Sequence, residues 1–503
     1  MIRSLCCCIF FTCLFACQNL PNSISETEKS ARTYCGSCHE YPEPDLLDKA
    51  TWDEYVLPRM GYMMGIYPND SVRKNLMEEG PGGALVEGAN VFPKVPTIDS
   101  VLWEKIREFY LENAPEKLET SPIPELGELS TFSVEIPDYK LSPPSTTMLS
   151  IQASGDIWLG DAHTQSMYVF SPELELTRAA KLQEGVVHAV EIQNTALITS
   201  MGSFSPTDQP TGMLVALPSK GSANVLIRGL QRPVHTSYGD LDGDGLSDLV
   251  ICEYAKWTGR LAWWKNKGPD GFEPQTLYPG PGAIKTRLID WNGDGLLDIL
   301  ALFGQGDEGF KLFLNQGEGK FEMNKLYQLP ASYGSSSFSL FDYNQDGLAD
   351  IMYTSGDNAD YPPILKPYHG IRILQQKKDN SLEEVFFYSL PGAYKAIPRD
   401  FDKDGDFDIA AISFFPDYEN QPEASFIYLE NKGKEKFEAS TFAQSTAGRW
   451  MVMESGDIDK DGDEDLLLGS LAFEVTAPGE WVEKWTANGI PFVLLRNNTF
   501  PAE

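Results

Sequence analysis

The apolar positions of this chain fall into three regimes. At the start, residues 5–16 (LCCCIFFTCLFA) form an unbroken apolar run of 12 residues behind the short basic segment Met1-Ile2-Arg3-Ser4. That is too short for a helix to cross a bilayer and has the form of a secretory signal. Between 31 and 115 the spacing is helical. Its clearest helix is 99–113, where Val101, Leu102, Ile106, Phe109 and Tyr110 share one face and Pro115 follows. From about 144 onward the pattern changes to short strands. LVIC, ILAL, IMYT, IAAI and LLLG each follow a nine-residue acidic segment: DLDGDGLSD (240–248), DWNGDGLLD (290–298), DYNQDGLAD (342–350), DFDKDGDFD (400–408) and DIDKDGDED (457–465).

The starts of these segments are separated by 50, 52, 58 and 57 residues. Further strands recur inside the repeats, as in LAWWKNKG (261–268), KLFLNQG (311–317) and FIYLENKG (426–433). Such a period with several strands per unit means a propeller or a solenoid. Two more units without the acidic segment precede them, at about 144–183 and 184–232. Residues 144–500 then divide into seven units of about 51. Closing seven four-stranded blades in a ring protects the sheet edges. The expected fold is mainly β: a seven-bladed propeller over 144–500, preceded by a small all-α unit at 31–115. Residues 18–30 read as a tether, and the Pro-rich, aperiodic 116–143 as a linker packed on the surface.

Composition sharpens this in two ways. With 40 Lys+Arg against 73 Asp+Glu the net charge is −33, which excludes a basic footprint for nucleic acid. Of the eight cysteines, 6, 7, 8 and 13 lie in the signal. Cys17 ends Leu14-Phe15-Ala16-Cys17, which resembles a bacterial lipoprotein processing box and would carry lipid. An ordinary signal cleaved nearby is the alternative, and both imply export. Cys252 reads as a small buried strand residue.

Cys35-Gly36-Ser37-Cys38-His39 is the CxxCH spacing. It lets two thiols add to the vinyl groups of one haem, with His39 beneath the iron. A redox disulfide or half of a zinc site are the alternatives, and the small unit offers no further Cys or His for zinc. It also holds no second His, so the distal ligand would be a methionine: Met60, which Pro58 could present in an extended loop, or Met63, Met64 or Met77, with an open or weakly ligated iron as the alternative. Trp52 is expected in the helix core.

The acidic segments carry oxygen ligands for a hard cation at positions 1, 3, 5 and 9, with Gly at 6 for the turn and a position-7 carbonyl. The ligand sets are Asp240, Asp242, Asp244, Leu246 and Asp248; Asp290, Asn292, Asp294, Leu296 and Asp298; Asp342, Asn344, Asp346, Leu348 and Asp350; Asp400, Asp402, Asp404, Asp406 and Asp408; and Asp457, Asp459, Asp461, Asp463 and Asp465. The bidentate Glu of an EF-hand at position 12 is missing and a strand follows. About five Ca²⁺ are expected, structural in role, because so many carboxylates repel one another without cations.

The repeats resemble the VCBS/FG-GAP type, whose loops bind calcium in integrin-like propellers, and the N-terminal unit resembles a small c-type cytochrome domain. Together they look like exported bacterial proteins that fuse the two. The resemblance implies a monohaem electron-transfer protein, and the Cys17 box adds a lipid anchor in the periplasm or at the surface of a Gram-negative cell. Its partner would be a redox protein or a small-molecule electron donor. Five residues before the first four acidic segments, the innermost strands align His235, Lys285, Ser337 and Lys395, with His188 opposite His235. These are channel candidates. They leave open an oxidoreductase with its substrate in the channel, while an adhesion or glycan-binding module is the further alternative. No phosphate loop, dinucleotide fingerprint or nucleophile elbow is present.

Overall fold

A computed structural model describes residues 24–120, 124–182, 185–192, 194–218, 221–359, 363–433, 436–472 and 477–500. The signal and Cys17 lie outside the described residues. Seven antiparallel sheets of four strands form the blades, one of them extended by a short fifth strand. The innermost strands are Thr146–Ile151, Val186–Ile192, Pro233–Gly239, Ala283–Ile289, Ser335–Phe341, Ala393–Arg399 and Trp450–Gly456. The apolar runs after the acidic segments are the second strands. Asp248–Glu253, Asp298–Phe303, Asp350–Ser355, Asp408–Ser413 and Asp465–Ser470 are buried at every position. They are buried on both faces because each blade packs between two others, which is why they read as continuous rather than alternating apolar runs.

The core is correspondingly a ring of seven hydrophobic clusters, one at each blade interface. Cys252 is fully buried in the cluster between the third and fourth blades, as its sequence context suggested.

The ring closes with chain from 116–143, the stretch expected to be a linker. Phe132–Glu135 is the outermost strand of the last blade, with Phe132 opposite Asn497 and Glu135 opposite Leu494. Phe132 reaches inward against Phe401 and Tyr428, with ring centroids 5.7 and 5.6 Å away. Gly127–Glu128 adds a short parallel pairing to the sixth blade. The propeller therefore begins near 127 rather than 144.

The N-terminal unit is helical. Ser25 caps the helix Glu26–Cys35, and Asp99 caps Ser100–Asn113 through the N–H groups of Val101 and Leu102. The two helices share a core of Ala31, Cys35, Trp103, Ile106 and Tyr110. The buried face of the second helix is thus Trp103, Ile106 and Tyr110, and Val101, expected on it, is 64% exposed. Trp52 is buried against Tyr110 and donates to the Pro44 carbonyl at 2.8 Å. Met60 stands on the helix Leu57–Met63 rather than on an extended loop. Pro58 lies inside a helical run that is continuous from Lys49 to Met63, directly after a π turn at Trp52–Val56 whose altered hydrogen-bond pattern accommodates its missing N–H. No helix among the described residues is long and apolar enough to cross a membrane.

Candidate functional site

Antiparallel order puts the loops between second and third strands on one face of the ring and the acidic loops on the other. The helical unit docks on the first face. The Glu78 carboxylate accepts from Thr207 Oγ1 (2.5 Å) and the Asp208 N–H (2.6 Å), and Gln209 donates to the Glu79 carbonyl (2.6 Å). Asp208 in turn accepts the N–H groups of Trp257 and Thr258 at 2.9 and 2.8 Å. Tyr368 donates to the Leu46 carbonyl, and Phe92 packs edge-on against Trp257.

Between the helical unit and the ring lies a cavity of about 1380 Å³ that continues into the axial channel. Its upper wall includes His39, Leu47, Trp52, Met60 and Met63. The His39 ring hydrogen-bonds the Glu40 carbonyl through Nδ1 at 2.7 Å. A carbonyl only accepts, so Nδ1 carries a proton, and in the neutral ring Nε2 keeps the lone pair that could meet a metal. Cys38 is exposed, while Cys35 is buried in the helical core, which pushes its thiol up to about 11. Of the four methionine candidates, Met60 and Met63 line the cavity. Met64 packs in the helical core instead.

The channel candidates do come together. His188 and His235 stack with ring centroids 4.3 Å apart, and Lys285 and Lys395 line the same space as Ser337. Burial, reinforced by the Arg287 guanidinium, pushes His188 down to about 4, and burial with the neighbouring His188 holds His235 well below its usual range. Burial, then Arg287 and Lys395, also hold Lys285 well below the lysine range. The sequence reading missed Arg287 and Glu454. Both stand one inward-facing position further along their strands, so the two-residue period of a strand would have found them. Lys395 and Glu454 pair at 2.7 Å. Burial would raise the Glu454 carboxyl, but Lys395 holds it below the usual carboxylate range. Its side chain keeps 41% of its surface open, and that surface faces channel space.

On the opposite face, the first, third and fifth residues of three loops converge: Asp240, Asp242 and Asp244; Asp400, Asp402 and Asp404; Asp457, Asp459 and Asp461. In each set the ligand atoms lie within 4.8 Å of one another. Positions 4 and 6 of all five loops are left-handed, with φ of 59° to 78° at position 4 and 84° to 100° at position 6. The sequence reading noted only the glycine at position 6. The last two loops hold buried carboxylate oxygens with no hydrogen-bond partner, on Asp400, Asp406, Asp457, Asp459 and Asp463. In the first loop Lys265 sits on Asp242 and lies 3.2 Å from Asp244. The position-9 carboxylates are fully buried and tie the loops down. Asp298, for example, accepts from the Trp291 and Asn315 N–H groups at 3.0 and 2.7 Å. Each of those oxygens has a further lone pair to offer a cation.

The model of the FG-GAP-like repeat matches residues 240–301, 290–353 and 400–468, which take in all five acidic loops. The chain therefore carries FG-GAP-like repeats in a seven-bladed β-propeller. No curated protein matches the chain. Among solved structures it is similar to the N-terminal domain of Nup159 (10% identity, TM-score 0.43, covering 75% of this chain and 98% of that one). It is likewise similar to a streptogramin B lyase (12%, 0.46, 73% and 97%) and to virginiamycin B lyase from Staphylococcus aureus (9%, 0.46, 73% and 99%). Likeness at these levels carries nothing about function.

Proposed function

We propose that the protein is an exported electron carrier: a monohaem c-type unit, anchored through Cys17, docked on a propeller that five Ca²⁺ stabilise. The reading starts from CxxCH. The observation that carries it is that His39 and Met60, from separate elements, line one cavity with an apolar wall of Leu47 and Trp52. His39 is fixed with Nε2 bare, as a ligand to iron requires. Cys35 and Cys38 would tether the haem, which when bound supplies a one-electron couple. Leu47 and Trp52 would exclude water from it, and Met60 would favour the reduced form.

The unpartnered carboxylate oxygens of the last two loops support cation binding there. A second reading has its own support. The cavity is continuous from His39 and Met60 to His188 and Lys285, as an oxidoreductase with its substrate in the channel would need. The reading is tested by visible spectra of the full chain made with a cytochrome c maturation system, and by metal analysis after calcium loading. Covalent haem and calcium near five per chain are expected. A colourless protein would refute the electron carrier.

A further inference from the structure

The charge of the cavity runs against that of the chain. The protein has 73 acidic and 40 basic residues, yet among the described residues that line the cavity, Lys and Arg outnumber Asp and Glu seven to two. One of the two carboxylates, Glu454, is already paired with Lys395. Lys285 and Arg287 are not so served. Lys285 donates to the Phe338 carbonyl at 2.8 Å, and Arg287 reaches the Thr286 carbonyl only at 3.5 Å. Among the described residues neither makes an ion pair. They stand two apart on the strand Ala283–Ile289, so their side chains leave the same face of the sheet, into the channel. Beside them the Nδ1 of His188 is buried without any hydrogen-bond partner.

Lys285 is half-buried and Arg287 is open to the channel, so both cations stand in that space without a carboxylate partner. Channel filling would call for carboxylate partners, and a chain so rich in them places only one here within reach. We infer that the axial channel binds a small organic anion, whose carboxylate or phosphate oxygens accept from Lys285 and Arg287. The cavity has room for a molecule larger than its anionic group, and His39 and Met60 form its upper wall. This deepens the second reading above and rests on it only for what lies over the ligand.

The test uses the full chain with inorganic phosphate and with succinate, against chloride at equal ionic strength, by titration calorimetry and thermal midpoint. At least one of the two probes should bind one-to-one and raise the midpoint, and which one does identifies the group. Lys285→Gln and Arg287→Gln should each weaken binding by about tenfold or more. Without anion, Lys285→Gln should melt no lower than wild type, because it removes a half-buried cation that has no carboxylate partner. Two results would overturn the inference: neither probe exceeding chloride, or binding unchanged in both variants. A lower midpoint of Lys285→Gln with binding intact would assign the lysine a purely structural part and overturn it as well. Heat reports the anion and absorbance reports the haem, so this inference and the electron-carrier reading fail separately.

Discussion

Replacing Asp402 by Asn separates a cation site from an acidic turn, because the sign of the effect depends on calcium. Asp402 accepts the Asp404 N–H at 3.3 Å. Asn292 and Asn344 hold the same position in their loops and accept the corresponding N–H of Asp294 and Asp346 at 3.0 and 3.1 Å. The substitution therefore keeps the loop's own bond and removes only charge. Ligand oxygens of Asp400 and Asp404 lie within 4.8 Å, and burial with the neighbouring carboxylates raises the Asp402 carboxyl. Two like charges at that distance repel by about 0.9 kcal/mol in water. Two such neighbours, screened by physiological salt, leave a net cost of about 1 kcal/mol. In EDTA the variant should thus melt about 1 °C to 2 °C above wild type. In excess calcium the order should reverse, because the site has lost a ligand charge and the metal stabilises it less. Differential scanning calorimetry in both buffers reads both signs. A wild-type midpoint indifferent to calcium, or a variant equally destabilised in both buffers, would refute the reasoning.

Other outcomes follow from the fold and the cavity. Phe132→Ala should cost about 3–5 kcal/mol in urea unfolding, since Phe132 joins the closing strand to the core between the last two blades; a loss under 1 kcal/mol would mean that strand does not close the ring. His188 has a folded pKa of about 4, below its unfolded 6.5, so the unfolded chain binds the proton first as pH falls. Its stabilisation is complete above 6.5 and lost towards 4, by roughly 3 kcal/mol. In calcium buffer His188→Gln should therefore flatten the acid limb of stability between those values, and an unchanged limb would contradict it. Glu78→Ala removes the carboxylate that grips the 207–208 turn, so protease cleavage between 116 and 126 should quicken about tenfold while the propeller resists; equal rates would show the unit held by other contacts.

The repeats were legible because each acidic loop is local: nine residues, a turn at fixed positions and an apolar strand directly after. The ring's closure was not. Phe132–Glu135 is four residues long, and its partner Phe492–Asn497 lies at the other end of the chain, so nothing near it in sequence announces the pairing. In the helical unit, Trp52 in the core was legible, but the face of the helix Ser100–Asn113 was misjudged. Trp103, Ile106 and Tyr110 repeat at spacings of three and four, whereas Val101 was counted because it is apolar. Pro58 suggested an extended segment, but a π turn at Trp52–Val56 lets the helix continue through it. In the channel, alignment to the acidic loops found His188, His235, Lys285 and Lys395, but only one layer was aligned. Arg287 and Glu454 belong to the next, and their charges decide how that space behaves.

The central claim is that His39 and Met60 hold a covalent haem over the channel. Visible spectra of the full chain from a cytochrome c maturation host, oxidised and dithionite-reduced, test it most directly, with Met60→Ala beside the wild type. The account predicts a low-spin c-type spectrum that survives denaturation with the polypeptide and turns high-spin in the variant. Absence of covalent haem would contradict it, and a variant spectrum identical to wild type would remove Met60 from the iron.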